Sequence, residues 1–148
     1  MSNKNYIDFF RQTSPYIHDH RGKTFVIGIS GEAIQDSNFH CLIHDIALLQ
    51  SLGIHIVLVH GAQTQIDRRL TASDIQSKFE QNIRITDEHA MRCIKEAVGS
   101  TRLTIESELS MGMPNSPMYG SRVRIVGGNF IAAQPFGVRN GTDFQWAG

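Results

Sequence analysis

Residues 25–36 read FVIGISGEAIQD, an apolar strand that runs into a small glycine turn and then into a polar stretch. The apolar run begins at residue 24 and is nearly continuous, which is typical of a parallel strand covered on both faces. The turn at Gly31 lets the backbone bend sharply, and its N–H groups can then face a ligand. Many α/β proteins bind an anion in this way, although this turn contains no lysine and no histidine.

The residues after this turn repeat the order of strand and helix. An apolar stripe at helical spacing predicts a helix that Ser37 or Asn38 can cap and that Gly53 ends. Residues 54–60 (IHIVLVH) predict a second strand, and Gly61 opens a further helix. Strands that alternate with helices predict an α/β fold with a parallel sheet. The members of the stripe are Phe39, Leu42, Ile43, Ile46 and Leu49.

The second half of the chain combines turns with one long helix. Residues 73–86 predict a loop and a short hairpin, and Thr86 is expected to cap the helix that follows. Residues 121–137 predict two strands around a tight GGN turn, and another turn is expected at Asn140–Gly141. The apolar stripe expected on the long helix comprises Met91, Ile94, Val98, Ile105 and Leu109.

An arm precedes the first strand. Residues 5–13 predict a short amphipathic helix that Pro15 ends, and residues 18–23 (HDHRGK) predict a polar linker. The aromatic side chains of this helix suit either a partner surface or packing on the chain's own domain. We therefore divide the chain into a helical arm with its linker, residues 1–20, and a domain, residues 21–148. The aromatics of the arm are Tyr6, Phe9 and Phe10.

Composition excludes several classes of protein. The 148 residues carry 14 Lys or Arg and 14 Asp or Glu, so no net charge attracts nucleic acid or a membrane surface. No apolar run could span a bilayer, and the N-terminal residues do not resemble a signal peptide. Cys41 and Cys93 form no zinc spacing and suit a reducing cytoplasm, where each is expected to be a small buried apolar group. His40 and His44 lack a further ligand at a supporting spacing, so we expect no metal site.

Two glycine loops are the candidate functional motifs. Gly28-Ile29-Ser30-Gly31 resembles a nucleophile elbow, but Glu32 stands where the elbow requires a glycine, which disfavours a Ser–His–Asp triad. Residues 59–66 (VHGAQTQI) place a second loop after the second strand. Ligands of open α/β sheets bind beyond the carboxyl ends of strands, so the paired loops predict one pocket; plain strand-to-helix turns are the alternative. Arg84, flanked by isoleucines, suits either a ligand carboxylate or an exposed strand position.

Five segments of the chain, taken together and in their order along the sequence, resemble the amino acid kinase domain of bacterial N-acetylglutamate synthases. These synthases are amino-acid N-acetyltransferases. The resemblance extends over essentially the whole chain but covers only about the first half of that domain. It implies a three-layer open sheet of mainly parallel strands with helices on both faces, of which this chain is the N-terminal half. The segments are FVIGISGEAI (25–34), FHCLIHDIALLQSLGI (39–54), IVLVHGAQTQID (56–67), NIRITD (82–87) and GNFIAAQPFGV (128–138).

The resemblance also implies a function for the parent protein. Synthases of this family make N-acetyl-L-glutamate from acetyl-CoA and L-glutamate, the first step of arginine biosynthesis, with a separate acetyltransferase domain. The kinase-like domain is the regulatory part and binds arginine, and its arm assembles homo-oligomers. The 148-residue stretch is expected to be inactive alone, with no cofactor of its own and with acetyl-CoA as the parent's co-substrate. The alternatives are a stand-alone amino-acid-binding module and an acetylglutamate kinase-like protein.

The family's site residues can be carried over one by one. Kinases of this fold have a Lys-x-Gly-Gly pattern in the first loop, and Gly28 stands at the lysine position. Their second loop is a histidine with three glycines, and Arg84 matches the arginine that holds the substrate carboxylate. Without the lysine we expect no phosphoryl transfer and no catalytic residue. The implied pocket for an amino acid or an acetylamino acid comprises Ser30, Gly31, His60, Gly61, Ala62, Gln63 and Arg84.

Overall fold

Two parallel strands form the centre of the fold. The computed structural model describes residues 3–111, 123–128 and 135–146. Strands β1 and β2 pair in parallel over their whole length, which confirms the predicted pairing. In chain order the elements are α1 (Asn3–His20), β1 (Thr24–Ile29), α2 (Gly31–Gln35), α3 (Phe39–Ser51), β2 (His55–His60), α4 (Gln63–Ala72), β3 (Lys78–Glu80), β4 (Ile83–Ile85), α5 (Glu88–Ser110), β5 (Val138–Arg139) and β6 (Thr142–Asp143).

The crossover between β1 and β2 consists of two helices. The short helix α2 follows β1 directly, and the sequence pattern does not predict it. Asn38 stands at the N-cap of α3, but its side chain makes no capping hydrogen bond. Gly53 follows the end of α3 with a φ of 89°, which glycine adopts at little cost, so it ends the helix as predicted. The order of strand, helices and strand confirms the α/β class.

The main core lies between one face of the sheet and the helices. Side chains alternate along a strand, so Ile27 of β1 and Ile56 and Leu58 of β2 share an inner face. They pack against apolar residues of α2, α3 and α5. The buried members of this core are Ile29, Ile34, Phe39, Ile43, Ile46, Ala47, Ile105 and Leu109.

The opposite face of the sheet is exposed among the described residues. Val26 is 70% exposed, Val57 48% and Val59 49%, and we call these three side chains the outer valine face. The sequence predicts helices on both faces of the sheet. The described residues supply them on one face, because α2, α3 and α5 all pack on the inner side.

Helix α4 packs along α5 around a second, smaller core. Leu70 is 1% exposed and clusters with Ala90 and Cys93. Ile66 and Ile75 pack against this cluster from its edge. Strands β3 and β4 form the short antiparallel hairpin predicted between the two helices.

The start of α5 differs from the prediction. Thr86 is expected to cap this helix, but Asp87 is the N-cap, and its carboxylate accepts a hydrogen bond from the Ala90 N–H at 2.8 Å. The Thr86 N–H donates to the Phe144 carbonyl at 3.4 Å, and the Thr86 carbonyl accepts from the Trp146 N–H at 3.3 Å. Because these bonds hold Thr86 beside another segment, the helix begins after it.

The buried stripe of α5 contains smaller residues than predicted. Val98 is 37% exposed, and Met91 and Ile94 are only partly buried, although Ile105 and Leu109 are buried as predicted. Small side chains let two helices lie close together, so hydrophobicity alone misplaces the contact face. The residues buried in their place are Ala90, Cys93, Ala97 and Thr101.

Helix α1 is longer than predicted. The sequence predicts a helix over residues 5–13 ended by Pro15 and a linker over residues 18–23, but the helix continues through Pro15 into that linker. Proline removes one helix hydrogen bond, here to the Arg11 carbonyl. Arg11 lies on an exposed part of the helix, where water can replace the lost bond. The linker is therefore reduced to residues 21–23.

The arm presents its aromatic side chains to solvent. Tyr6 is 60% exposed, Phe9 68% and Phe10 65%. At the other end of the helix, His20 contacts Phe25 of β1, with 5.4 Å between the ring centroids. The arm is thus anchored at its C-terminal end. Among the helices that the structure describes, none is long and apolar enough to cross a membrane.

The last described segment is a hairpin of β5 and β6. Asn140 and Gly141 connect the strands with φ values of 50° and 83°, as in a two-residue turn of mirror-image type. This confirms the turn predicted at these residues. The loop predicted over 111–120 and the hairpin predicted over 121–137 lie largely outside the described residues, and residues 123–128 contain no strand.

We expect Asp87→Ala to lower the free energy of unfolding by about 1 kcal/mol, because it removes the side-chain cap of α5. Asn38→Ala is the matched control and should cost less, since Asn38 holds the same position on α3 without a capping bond. Urea unfolding followed by circular dichroism measures both changes. Equal losses in the two variants would contradict the capping role of Asp87.

Candidate functional site

The turns that follow β1 and β2 lie against each other. The Gly61 N–H donates to the Ile29 carbonyl at 2.7 Å, which extends the pairing of β1 and β2 by one residue beyond β2. Ser30 and Gly31 therefore lie beside Gly61 and Ala62 at the carboxyl ends of both strands. This is the edge at which open α/β sheets bind their ligands.

Gly31 and Gly61 are required by this close approach and not by their backbone angles. A Cβ atom at Gly31 would lie 2.6 Å from Gln65 Oε1 and 3.1 Å from the Gln63 backbone nitrogen. A Cβ atom at Gly61 would lie 3.3 Å from the Gly31 backbone nitrogen. Neither glycine has a positive φ. The sequence suggests a backbone bend as the reason for Gly31, whereas the structure identifies crowding.

Two helices begin at these turns. Ser30 caps α2, since its hydroxyl oxygen accepts a hydrogen bond from the Ala33 N–H at 3.2 Å. Ala62 precedes α4 and has no side chain that could cap it, so the first N–H groups of α4 are left to solvent or a ligand. The Gln65 amide donates to the Gly31 carbonyl at 2.8 Å and ties α4 to the first turn. Its Oε1 atom is buried and has no partner among the described residues.

A cleft of about 910 Å³ opens beside the two turns, and we call it the two-turn cleft. Helix α4 contributes Thr64, Asp67, Arg68 and Thr71 to its lining. Five of the residues predicted to bind a ligand also line it, and their binding role stays a prediction. These five are Ser30, Gly31, Gly61, Ala62 and Gln63.

Charged side chains of both signs border the two-turn cleft. Glu32 and Asp67 are acidic, and Arg68 is basic. Together with the free N–H groups at the start of α4, they suit a ligand that carries both charges, such as an amino acid. No histidine, cysteine or lysine belongs to the described lining. The described part of the chain also contains no group of three His, Cys, Asp or Glu side chains that could hold a metal ion.

Arg84 is held beside the cleft by contacts within the chain. Its side chain is 13% exposed, its Nη2 atom lies 2.5 Å from Asp67 Oδ1, and its Nη1 atom donates to the Ser77 hydroxyl. The guanidinium carbon lies 4.8 Å from the ring centroid of Phe79, within the range of a cation–π contact. The sequence predicts a ligand carboxylate as its partner, and the structure provides Asp67. Arg84 thus reaches the two-turn cleft through Asp67.

His60 and Gly28 lie near the cleft but are not part of its described lining. The His60 Nδ1 atom lies 3.4 Å from the Gly61 carbonyl oxygen, and His60 pairs with Ile29 across the sheet. Gly28 lies on the exposed face, and a Cβ atom there would meet no described atom within 4 Å. The position that carries a lysine in related kinases is therefore open.

Sequence reasoning missed the contribution of α4. The pattern predicts that Arg68 and Arg69 share an exposed helix face, and both residues are exposed. Arg68 also lines the two-turn cleft, and Arg69 pairs with Glu96 of α5, with 2.9 Å between Nε and Oε2. The hydrogen bond to Glu96, aided by its charge, raises the pKa of Arg69. Asp67 and Arg68 follow Gln63 and Thr64 by one helical turn, and this spacing could have indicated their common side.

Comparison with known proteins identifies close relatives. The profile of the amino acid kinase family matches residues 23–144. The chain is 49% identical over 145 residues to an amino-acid acetyltransferase of Azotobacter vinelandii, and the match covers 98% of this chain and 34% of that relative. It is 46% identical over 145 residues to an amino-acid acetyltransferase of Ralstonia nicotianae, and the match covers 98% of this chain and 32% of that relative. The chain thus spans about a third of the length of the curated relatives it matches.

Solved structures give the same result. N-acetylglutamate synthase from Neisseria gonorrhoeae, complexed with coenzyme A and L-arginine, matches with a TM-score of 0.79 at 35% identity, over 95% of this chain and 33% of that chain. The N. gonorrhoeae synthase complexed with coenzyme A and N-acetyl-glutamate matches with a TM-score of 0.75 at 36% identity, over 94% of this chain and 31% of that chain. These matches confirm the fold class and the resemblance inferred from the sequence.

We expect Gly31→Ala to lower the free energy of unfolding by about 1–3 kcal/mol, because the added methyl group meets the backbone of α4. Gly28→Ala is the matched control, since its methyl group enters open space, and we expect a change within about 0.5 kcal/mol. Chemical denaturation of both variants measures the difference. Equal stability of the two variants would contradict the crowding of the turns.

A double-mutant cycle tests the ion pair of Arg84 and Asp67. We expect a coupling free energy of about 1–2 kcal/mol between Arg84→Ala and Asp67→Ala, because the guanidinium is largely buried. The pair Arg102 and Glu106 on the surface of α5 is the control, with about 0.3–0.5 kcal/mol expected. Urea unfolding of the single and double variants supplies the values. A coupling no larger than that of the surface pair would show that Arg84 is not committed to Asp67.

Proposed function

The chain belongs to the amino acid kinase family, and we propose that it forms the N-terminal part of the regulatory domain of an N-acetylglutamate synthase. The parent enzyme transfers the acetyl group of acetyl-CoA to the amine of L-glutamate, and its kinase-like domain binds arginine. The observation that carries this proposal is the identity of 49% and 46% to amino-acid acetyltransferases over 98% of the chain.

We infer that acetyl transfer and regulation are carried out by different parts of the parent protein. Acetyl transfer needs groups that bind the thioester, polarise its carbonyl and accept the proton of the amine. The described lining of the two-turn cleft has the carboxylates of Glu32 and Asp67 but no set of groups that would bind the thioester, and the chain spans 34% of the relative from A. vinelandii. We therefore assign regulation and assembly to this part and acetyl transfer to the remainder of the parent.

The first loop favours a synthase over a kinase. Phosphoryl transfer depends on positive charge held at the transferred group, and removal of one preorganised donor typically costs about 10²–10³ in rate. Gly28 supplies no charge at the lysine position, and Glu32 and Asp67 would repel a phosphate in the two-turn cleft. We expect the fold to bind its ligand without phosphorylating it.

The two-turn cleft is the proposed site for an amino acid or an acetylamino acid. Its turns supply N–H groups for a carboxylate, and Glu32 and Asp67 supply acceptors for an ammonium or guanidinium group. Arg84 then acts as a positioning residue that orients Asp67, and His60 supports the second turn. The solved relatives are complexed with L-arginine or N-acetyl-glutamate, which are ligands of this chemical class.

A chimera tests the proposed function. We expect a protein in which this chain replaces the corresponding third of the A. vinelandii relative to acetylate glutamate from acetyl-CoA, and arginine to change its rate. The 148-residue chain alone should transfer no acetyl group. A chimera that is folded and has the mass of the relative, yet does not acetylate glutamate, would refute the family function. Consumption of ATP with N-acetylglutamate above a buffer control would favour the kinase alternative.

The arm is the proposed means of self-association in the cytoplasm, where the two thiols suit a reducing environment. We expect deletion of residues 1–17 to lower the oligomer mass measured by light scattering, because it removes the exposed aromatics. Phe9→Ser combined with Phe10→Ser should lower the mass in the same way, whereas Gln12→Ser on the same helix should not. An unchanged mass in the deletion variant would mean that the arm serves only its own chain.

A further inference from the structure

A thiol and an imidazole meet on the first turn of α3, outside the two-turn cleft. The Cys41 sulfur lies 3.3 Å from the His40 Nε2 atom. The sequence predicts that both cysteines are buried, but only Cys93 is; Cys41 and His40 are exposed, so a dissolved molecule can reach the Cys41 sulfur. The opposite side of this helix is anchored in the core by Phe39 and Ile43. A group added to the sulfur would therefore project into solvent and leave the core intact.

The other hydrogen bond of His40 decides which ring nitrogen can accept a proton. The Nδ1 atom lies 2.8 Å from the Ser37 carbonyl oxygen. A carbonyl only accepts hydrogen bonds, so Nδ1 carries the ring hydrogen of the neutral imidazole. The lone pair then resides on Nε2, the atom that faces the Cys41 sulfur. The thiol thus donates to a base that its neighbour holds in position.

We propose that Cys41 is a site of reversible thiol–disulfide exchange, with His40 as the base that accepts the thiol proton. The Cys41 sulfur forms a bond to one sulfur of a small-molecule disulfide, and the disulfide bond of that molecule breaks. The second sulfur leaves as a thiolate, and the thiol proton passes to His40 Nε2. The product is a mixed disulfide on Cys41, and a small-molecule thiol reverses the reaction by the same exchange.

The second cysteine of the chain is an internal reference for this reactivity. Cys93 is 7% exposed within the core between α4 and α5, and its sulfur lies 3.6 Å from the Ser73 hydroxyl oxygen. A hydroxyl group at that distance is a poor base, and the burial of Cys93 keeps reagents away. The chain contains no other cysteine, so two thiols in contrasting surroundings can be compared within one folded molecule.

The test measures the reaction of the folded chain with an aromatic disulfide that releases a coloured thiolate. We expect one fast thiol, which Cys41→Ser removes, and one slow thiol, Cys93. His40→Gln should slow the fast reaction by on the order of tenfold or more, because it removes the base and retains a polar side chain of similar length. His44→Gln, one turn further along α3, is the matched control and should leave the rate unchanged. Oxidised glutathione should add to Cys41 in the mass spectrum of the intact chain.

Chemical rescue separates a base from a structural neighbour. Free imidazole in solution should restore part of the rate in the His40→Gln variant and add little to the original chain. Circular dichroism of each variant checks that α3 is intact, which we expect because Cys41 and His40 are exposed. Equal rates for His40→Gln and the original chain, a lack of rescue, or a Cys41 that reacts no faster than Cys93 would each overturn the proposal.

Discussion

The hydrogen bond from the Gly61 N–H to the Ile29 carbonyl brings two turns into contact, and the functional edge of the chain depends on that contact. Side chains are excluded where the turns meet, because a Cβ atom on either glycine would press against neighbouring backbone. The contact between the turns places the uncapped start of α4 beside the first turn, and the Gln65 side chain holds it there by a hydrogen bond to the Gly31 carbonyl. The cleft is therefore bounded by the two turns and by the helices α2 and α4 that begin at them.

Charges of both signs border this edge of the amino acid kinase fold. The first loop has an open position at Gly28 where related kinases carry a cation. Arg84 pairs with Asp67 and stacks on Phe79. What remains is a cleft whose described lining combines the carboxylates of Glu32 and Asp67 with Arg68 and with backbone N–H groups.

The elements that depend on local pattern were predictable from the sequence. The strands β1 and β2 and the Asn140–Gly141 turn are determined by residues next to one another in the sequence. The errors arose where a distant segment or water decides the outcome. The Thr86 backbone is bound by a hairpin far along the chain, and hydration permits Pro15 inside an exposed helix. The ligand role of Arg84 stays a prediction. Its pair with Asp67 could not be inferred from the sequence, since a carboxylate of the chain and one of a ligand satisfy a guanidinium equally well.

The outer valine face has a consequence for the heat capacity of the protein. The change in heat capacity on unfolding grows with the apolar surface that folding removes from water. Val26, Val57 and Val59 retain much of their surface in the folded chain, so they contribute less to that change than buried valines would. Any segment or partner that covers this face would therefore bind with a negative heat-capacity change. Calorimetry at several temperatures would detect such a contact even if the fold did not change.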